Sequence, residues 1–159
     1  WGLGRSTGSM LQYLEPVEKL VEEQFTRSGA PVPIVGWSRG GMIAREIARD
    51  NPKIVDRVIT LGTPVQGGVG ATSISALVAS QVGTNTAGLW QAIRRRQQTP
   101  IRVPVTALYS KSDGVVSWQA CIEPEANTAT EHIEVRSTHT GMGFNASVLR
   151  WVARRLKSG

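Results

Sequence analysis

Apolar and polar positions recur with two different periods along this chain, and the switches between them mark out its elements. From Ser9 to Arg27, Leu14, Val17, Leu20, Val21 and Phe25 fall on one helical face, which predicts an amphipathic helix. Pro16 fits its first turn or a kink, and Gly29 fits its C-terminal cap. Val32, Ile34 and Val35 then read as a short buried strand, and Met42, Ile43, Ile47 and Ala48 as the apolar stripe of a helix closing near Asp50-Asn51-Pro52. Val55, Val58, Ile59 and Leu61 supply a second strand, ended by Gly62-Thr63-Pro64. A third spans Val103 to Tyr109, and Ile133 and Val135 mark a fourth. The last helix starts at Asn145, a good N-cap, and runs through Val148, Leu149, Val152 and Leu156, with Arg154, Arg155 and Lys157 suited to its C-terminal dipole.

Residues 65–100 break this rhythm with small residues, Ser, Thr and Gly, and predict a cap or insertion over the sheet with short helices at 75–82 and 87–96. Strands alternating with helices imply a single α/β domain over 1–159, a parallel sheet with helices on both faces. Ligands of such sheets meet the carboxyl ends of the strands.

The chemistry concentrates between the first strand and the second helix, where Gly36-Trp37-Ser38-Arg39-Gly40 forms a G-x-S-x-G. In a strand-turn-helix setting this pattern lifts the serine into a strained backbone position, and glycine is expected on both sides because strand and helix pass too closely for side chains. A serine hydroxyl needs a base, and a histidine base works best when a carboxylate fixes its tautomer. Of the two histidines, His132 lies within the fourth strand, in an outward position expected of an edge, whereas His139 lies just past that strand's carboxyl end, on the rim that carries Ser38. Asp50 and Asp56 fall at the opposite edge of the sheet. Asp113 follows the third strand directly, although Asp-Gly is also an ordinary turn. The order Ser38, Asp113, His139 excludes a chymotrypsin-like arrangement, in which histidine precedes serine. A patatin-like Ser-Asp dyad stays open and would leave His139 without a role.

Composition adds limits. Hydrophobic residues at 40% and charged residues at 19% describe an ordinary globular mixture, and no apolar run approaches a membrane span. The compartment stays open, cytoplasmic by default, since no secretory signal is visible in a chain that opens at Trp1. The net charge of +6 is spread through helices, so Arg94–Arg96 and Arg154-Arg155 read as solvated faces rather than a nucleic-acid site. Cys121 is alone, which excludes an internal disulfide and a cysteine-based metal site. Gly141 to Ala146 fits G-x-G-x-x-A, but the chain ends before a ribose-binding acid could follow, and Gly67 to Gly70 lacks the Lys-Ser or Lys-Thr of a phosphate loop. Trp90, Trp118 and Trp151 are candidates for an acyl pocket or for core.

Four stretches, Gly-Trp-Ser-Arg-Gly-Gly, Leu61-Gly-Thr-Pro-Val-Gln-Gly, Ser112-Asp-Gly-Val-Val-Ser-Trp118 and His139-Thr-Gly-Met-Gly-Phe-Asn, together resemble small bacterial α/β-hydrolases related to lipases and carboxylesterases. The resemblance implies ester hydrolysis without cofactor or metal, on a small-molecule or lipid ester. Ser38 would be the nucleophile, His139 the base and then acid, Asp113 the orienting carboxylate, and the Arg39 N–H one oxyanion donor. It also implies further strands and a His-Gly or Pro-Gly loop ahead of Trp1, so the chain is expected to be N-terminally incomplete. Relatives often place a cysteine after the histidine, where Thr140 stands here. A catalytically silent hydrolase scaffold or binding domain is the rival from another class.

Overall fold

The computed structural model describes residues 10–66, 91, 95, 96, 98–123 and 130–157. A 3-10 turn at Met10–Tyr13 leads into helix α1, Leu14–Ser28. Pro16 occupies its first turn, where a missing N–H costs nothing, and Gly29 ends it in the left-handed conformation (φ 68°), its N–H donating to Phe25 O. Strand β1 is Val32–Trp37, helix α2 Arg39–Asp50, β2 Val55–Leu61, β3 Val105–Tyr109, β4 Thr130–Glu134 and helix α3 Ala146–Lys157. The four strands form one all-parallel sheet in the order β1-β2-β3-β4, so β1 and β4 are its edges among the described residues.

Register explains the two larger of the three hydrophobic clusters among the described residues. Ile34, Val58 and Val105 align across three strands and share a face with Ile43, Ala44, Ile47 and Ala48 of α2 and Val21 of α1. One residue on, the alternation turns Ile59, Leu61, Leu108 and Ile133 to the opposite face, where Val148, Trp151 and Val152 of α3 cover them. Helices therefore lie on both faces, as the alternating pattern implies. Each fully buried Val, Leu or Ile contributes about 1.5–3 kcal/mol relative to exposure, which makes these layers the main support of the rim above them.

Each of the helices α1, α2 and α3 differs in detail from the sequence reading. On α3 the inward stripe is Val148, Trp151 and Val152, spaced i, i+3, i+4, while Leu149 and Leu156 lie exposed on its flank. On α1, Leu20 is likewise exposed. On α2 the buried surface is partly charged: Arg45 pairs with Glu123, while Glu46 pairs with Arg49 and Arg96. Arg49 also donates to Thr99 O, so an ion pair and a hydrogen bond fasten Arg96 and Thr99 to this helix. Of the expected cap, the helix at 75–82 lies outside the described residues, and of that at 87–96 only Gln91, Arg95 and Arg96 are described, all helical. Among the described residues no helix is long and apolar enough to cross a membrane.

Candidate active site

Parallel strands all end at one rim, and this one gathers a serine, an aspartate and a histidine. Ser38 follows β1 and is the only non-glycine residue with positive φ among those described (φ 53°, ψ −121°). Such a conformation costs about 1–3 kcal/mol and persists only where surrounding bonds impose it. Here the bonds are backbone ones: Ser38 N–H donates to Leu61 O at 2.8 Å, and Ser38 O accepts from Gly41 N–H at 3.0 Å. The glycine requirement is real but placed differently from the expectation. A Cβ on Gly36 would lie 2.5 Å from Gly41 Cα, whereas one on Gly40 would meet nothing within 4 Å. Gly36 lets the strand and helix cross, Gly41 leaves room for the Thr63 side chain, and Gly40 is required by neither.

Asp113 follows β3 in a tight turn whose N–H groups define its carboxylate. Oδ1 accepts from Val115 N–H at 2.8 Å and Val116 N–H at 2.9 Å, and Oδ2 lies 2.7 Å from His139 Nδ1. The Asp113 side chain is 1% exposed and that of His139 11%, so their bond is shielded from water. His139 follows β4, and Met142, three residues on and fully buried in the α3-side core, anchors its loop. Met142 N–H reaches back to Thr138 O and His139 O, starting the 3-10 turn Thr140–Gly143.

Several groups that sequence reasoning passed over join these loops. The fully buried Ser110 hydroxyl accepts from Ser112 N–H at 3.1 Å and Ser137 N–H at 3.2 Å, tying the aspartate loop to the histidine loop. Gly62 sits in the left-handed region (φ 52°), and a Cβ there would lie 3.0 Å from Asp113 Oδ2 and 3.2 Å from His139 Nδ1. The Trp37 ring, beside the serine, stands 5.9 Å from the His139 ring and faces Gly143, where an added Cβ would lie 3.7 Å from it. Ser38 and His139 thus share neighbours, although no hydrogen bond joins the serine hydroxyl to the imidazole. Such bonds are often long before substrate arrives. Trp37 stands in the G-x-S-x-G and Gly62 in the Leu61-Gly-Thr-Pro stretch, but neither spacing announces these contacts, and only strand-end position could have flagged Ser110.

The remaining candidates lie apart. His132, in strand β4, accepts Glu123 N–H at Nε2 (2.9 Å). Trp118 stacks on Tyr109 and Trp151 covers the α3 core, while Trp90 is outside the described residues. Cys121 is a buried free thiol, its pKa pushed up to about 12 by burial first and the Asp113 charge second. No group of three or more His, Cys, Asp or Glu suited to a metal occurs among the described residues.

No protein-family model matches the sequence, and no curated protein matches it. Solved structures do. The mature Bacillus licheniformis lipase BlEst2 superposes with a TM-score of 0.72 at 16% identity, over 96% of this chain and 76% of that one. A Paleococcus ferrophilus monoacylglycerol lipase gives 0.62 at 13% identity over 95% and 77%. An alpha-beta serine hydrolase homologue from Coxiella burnetii gives 0.64 at 18% identity over 98% and 65%. At such identities the likeness establishes the fold: the chain adopts the α/β-hydrolase fold.

Proposed function

We propose that this chain is a serine hydrolase cleaving carboxylic esters through an acyl-enzyme. Ser38 Oγ attacks the ester carbonyl while His139 Nε2 takes its proton. The Oγ–C bond forms, the C–O bond of the alcohol breaks, and the alcohol leaves with the proton from His139. Water then attacks the acyl group, again giving a proton to His139; the Oγ–C bond breaks, the acid leaves, and His139 returns the proton to Ser38. Asp113 holds Nδ1–H, so that Nε2 faces the serine as an acceptor, and it stabilises the imidazolium that forms. The Arg39 N–H, at the first position of α2, donates to the developing oxyanion.

The observation that carries this reading is the shielded 2.7 Å Asp113–His139 bond beside a serine held at positive φ. Both Asp113 oxygens are engaged, Oδ1 by two N–H groups and Oδ2 by His139, which favours the triad over a serine-aspartate dyad. Trp37, 39% exposed, and Phe144, 81% exposed and next to the Gly143 that Trp37 faces, support an ester with an apolar acyl or alcohol group. The reading calls on no cofactor or metal.

A fluorophosphonate probe should label Ser38, and Ser38→Ala should abolish labelling. Labelling at another residue with Ser38 untouched, or no labelling of a folded chain, sinks the hydrolase reading and favours the silent scaffold.

A further inference from the structure

Thr63 stands just past the end of β2, 1% exposed, with no part in the proton transfers above. Its hydroxyl donates to Ser38 O at 3.0 Å, and Leu61 O, at 3.4 Å, is the weaker alternative acceptor. Space for that hydroxyl exists because residue 41 is glycine: a Cβ on Gly41 would lie 2.0 Å from Thr63 Oγ1. The Ser38 carbonyl thus has two donors, Gly41 N–H from within its own turn and Thr63 Oγ1 from the neighbouring strand end.

The peptide joining Ser38 to Arg39 is planar and trans, so its C=O and N–H point in opposite directions. Whatever fixes the Ser38 carbonyl also fixes the Arg39 N–H. The carbonyl points inward, to buried Thr63 and to Gly41, which sends the amide the other way, outward from the turn at the first position of α2. An oxyanion donor acts only if its direction is set before charge develops, since a donor that must reorient adds that cost to the barrier. Gly41 N–H alone restrains the plane through a short turn. The Thr63 bond adds a second restraint from a different element, β2, the same strand that accepts the Ser38 N–H through Leu61 O.

We propose that Thr63 is a positioning residue, its hydroxyl aiming the Arg39 N–H into the oxyanion site through the Ser38 peptide plane. The proposal rests on the hydrolase reading only for its catalytic consequence; the structural link stands separately.

The test compares Thr63→Val, which removes the hydroxyl at similar volume, with Thr63→Ser, which keeps it. Losing a whole oxyanion donor costs about 100- to 1000-fold, so a donor present but poorly aimed should cost roughly 10- to 100-fold. In the full chain, Thr63→Val should lower kcat on an activated ester, and the rate of fluorophosphonate labelling, by that factor with KM within about twofold, because the oxyanion exists only in the transition state. Thr63→Ser should stay within about threefold of wild type. The Arg39 amide resonance should shift, and its hydrogen exchange quicken, in the Val variant alone. If Thr63→Val fails to fold, Thr63→Ala carries the same expectations. Labelling of Thr63→Val at the wild-type rate overturns the proposal while leaving the hydrolase reading intact, and a Ser variant as impaired as Val reduces Thr63 to packing. A wild-type chain that never labels at Ser38, yet shows the Arg39 shift in Thr63→Val, removes the hydrolase reading and keeps the positioning link.

Discussion

Replacing Asp113 by asparagine keeps the shape of the side chain and removes one acceptor, and the surrounding N–H groups dictate which one. Val115 and Val116 N–H both need an oxygen at the Oδ1 position. The asparagine carbonyl therefore sits there, and its NH2 takes the Oδ2 place, 2.7 Å from His139 Nδ1. A donor facing Nδ1 drives the imidazole to the tautomer with its proton on Nε2, the nitrogen that accepts the serine proton in the proposed mechanism. Escape is expensive. Turning the amide over takes the oxygen away from the Val115 N–H and from the N–H of buried Val116, and the latter alone costs about 1–3 kcal/mol. Keeping the proton on Nδ1 sets two donors against each other. At about 1.4 kcal/mol per factor of ten, about 2 kcal/mol leaves only about one molecule in thirty with a competent base. Loss of the carboxylate charge beside the imidazolium adds to this, toward the fall of about 10⁴ that the same change causes in a serine protease triad. Pre-steady-state acylation by a nitrophenyl ester reads the effect, with thermal unfolding to verify the fold. A folded Asp113→Asn variant acylating within threefold of wild type would refute the role given to Asp113.

The other predictions use different parts of the structure. His139→Ala should remove most turnover, whereas His132→Ala, whose ring accepts Glu123 N–H on strand β4, should stay within about threefold; equal losses would contradict the assignment of the base. With its pKa pushed up to about 12, Cys121 is about one part in ten thousand thiolate at pH 8, so a disulfide reagent should leave it unmodified in the native protein and modify it fully in denaturant. Rapid native reaction would show that the thiol is neither buried nor raised. Arg45→Ala strands the buried Glu123 carboxylate and should cost about 3–5 kcal/mol in urea unfolding, while Arg45→Met with Glu123→Leu should recover most of that; an unchanged midpoint in the single variant would deny the buried pair any part in stability.

How much of this was legible in the sequence varied with the kind of constraint involved. β2 reads cleanly because both of its faces are covered, so Val55, Val58, Ile59 and Leu61 are apolar without regard to alternation. β1 is harder: Val35 reads as core, yet it lies 43% exposed on the face away from α2, where α3 does not reach it. On α3, apolar residues at 148, 149, 151, 152 and 156 cover too wide an arc for pitch alone to choose the inward side. Ser38, Asp113 and His139 could be assembled from strand ends, because a parallel sheet puts every strand-to-helix turn on one rim. Thr63 and Ser110 could not. A buried hydroxyl that bonds a backbone group has no periodicity, and its partner is set by which strands are neighbours.

That dependence on neighbouring strands bears on how the site is stabilised. Ser38 carries backbone strain of about 1–3 kcal/mol, and nothing in its own strand relieves it. Its N–H is held by Leu61 O and its carbonyl by Thr63 Oγ1, both from the end of β2, while the third bond comes from Gly41 of α2. Net contributions near 1 kcal/mol for each such bond are together enough to offset the strain. The Ser38 conformation is thus sustained by the pairing of β1 with β2, and that pairing rests on the Ile34, Val58 and Ile47 layer beneath. A core substitution such as Ile47→Ala, remote from the rim, should therefore loosen the serine turn along with the fold. Changes confined to exposed α1 positions such as Lys19 should affect neither, because α1 meets the core through Leu14, Val17 and Val21 on its other side.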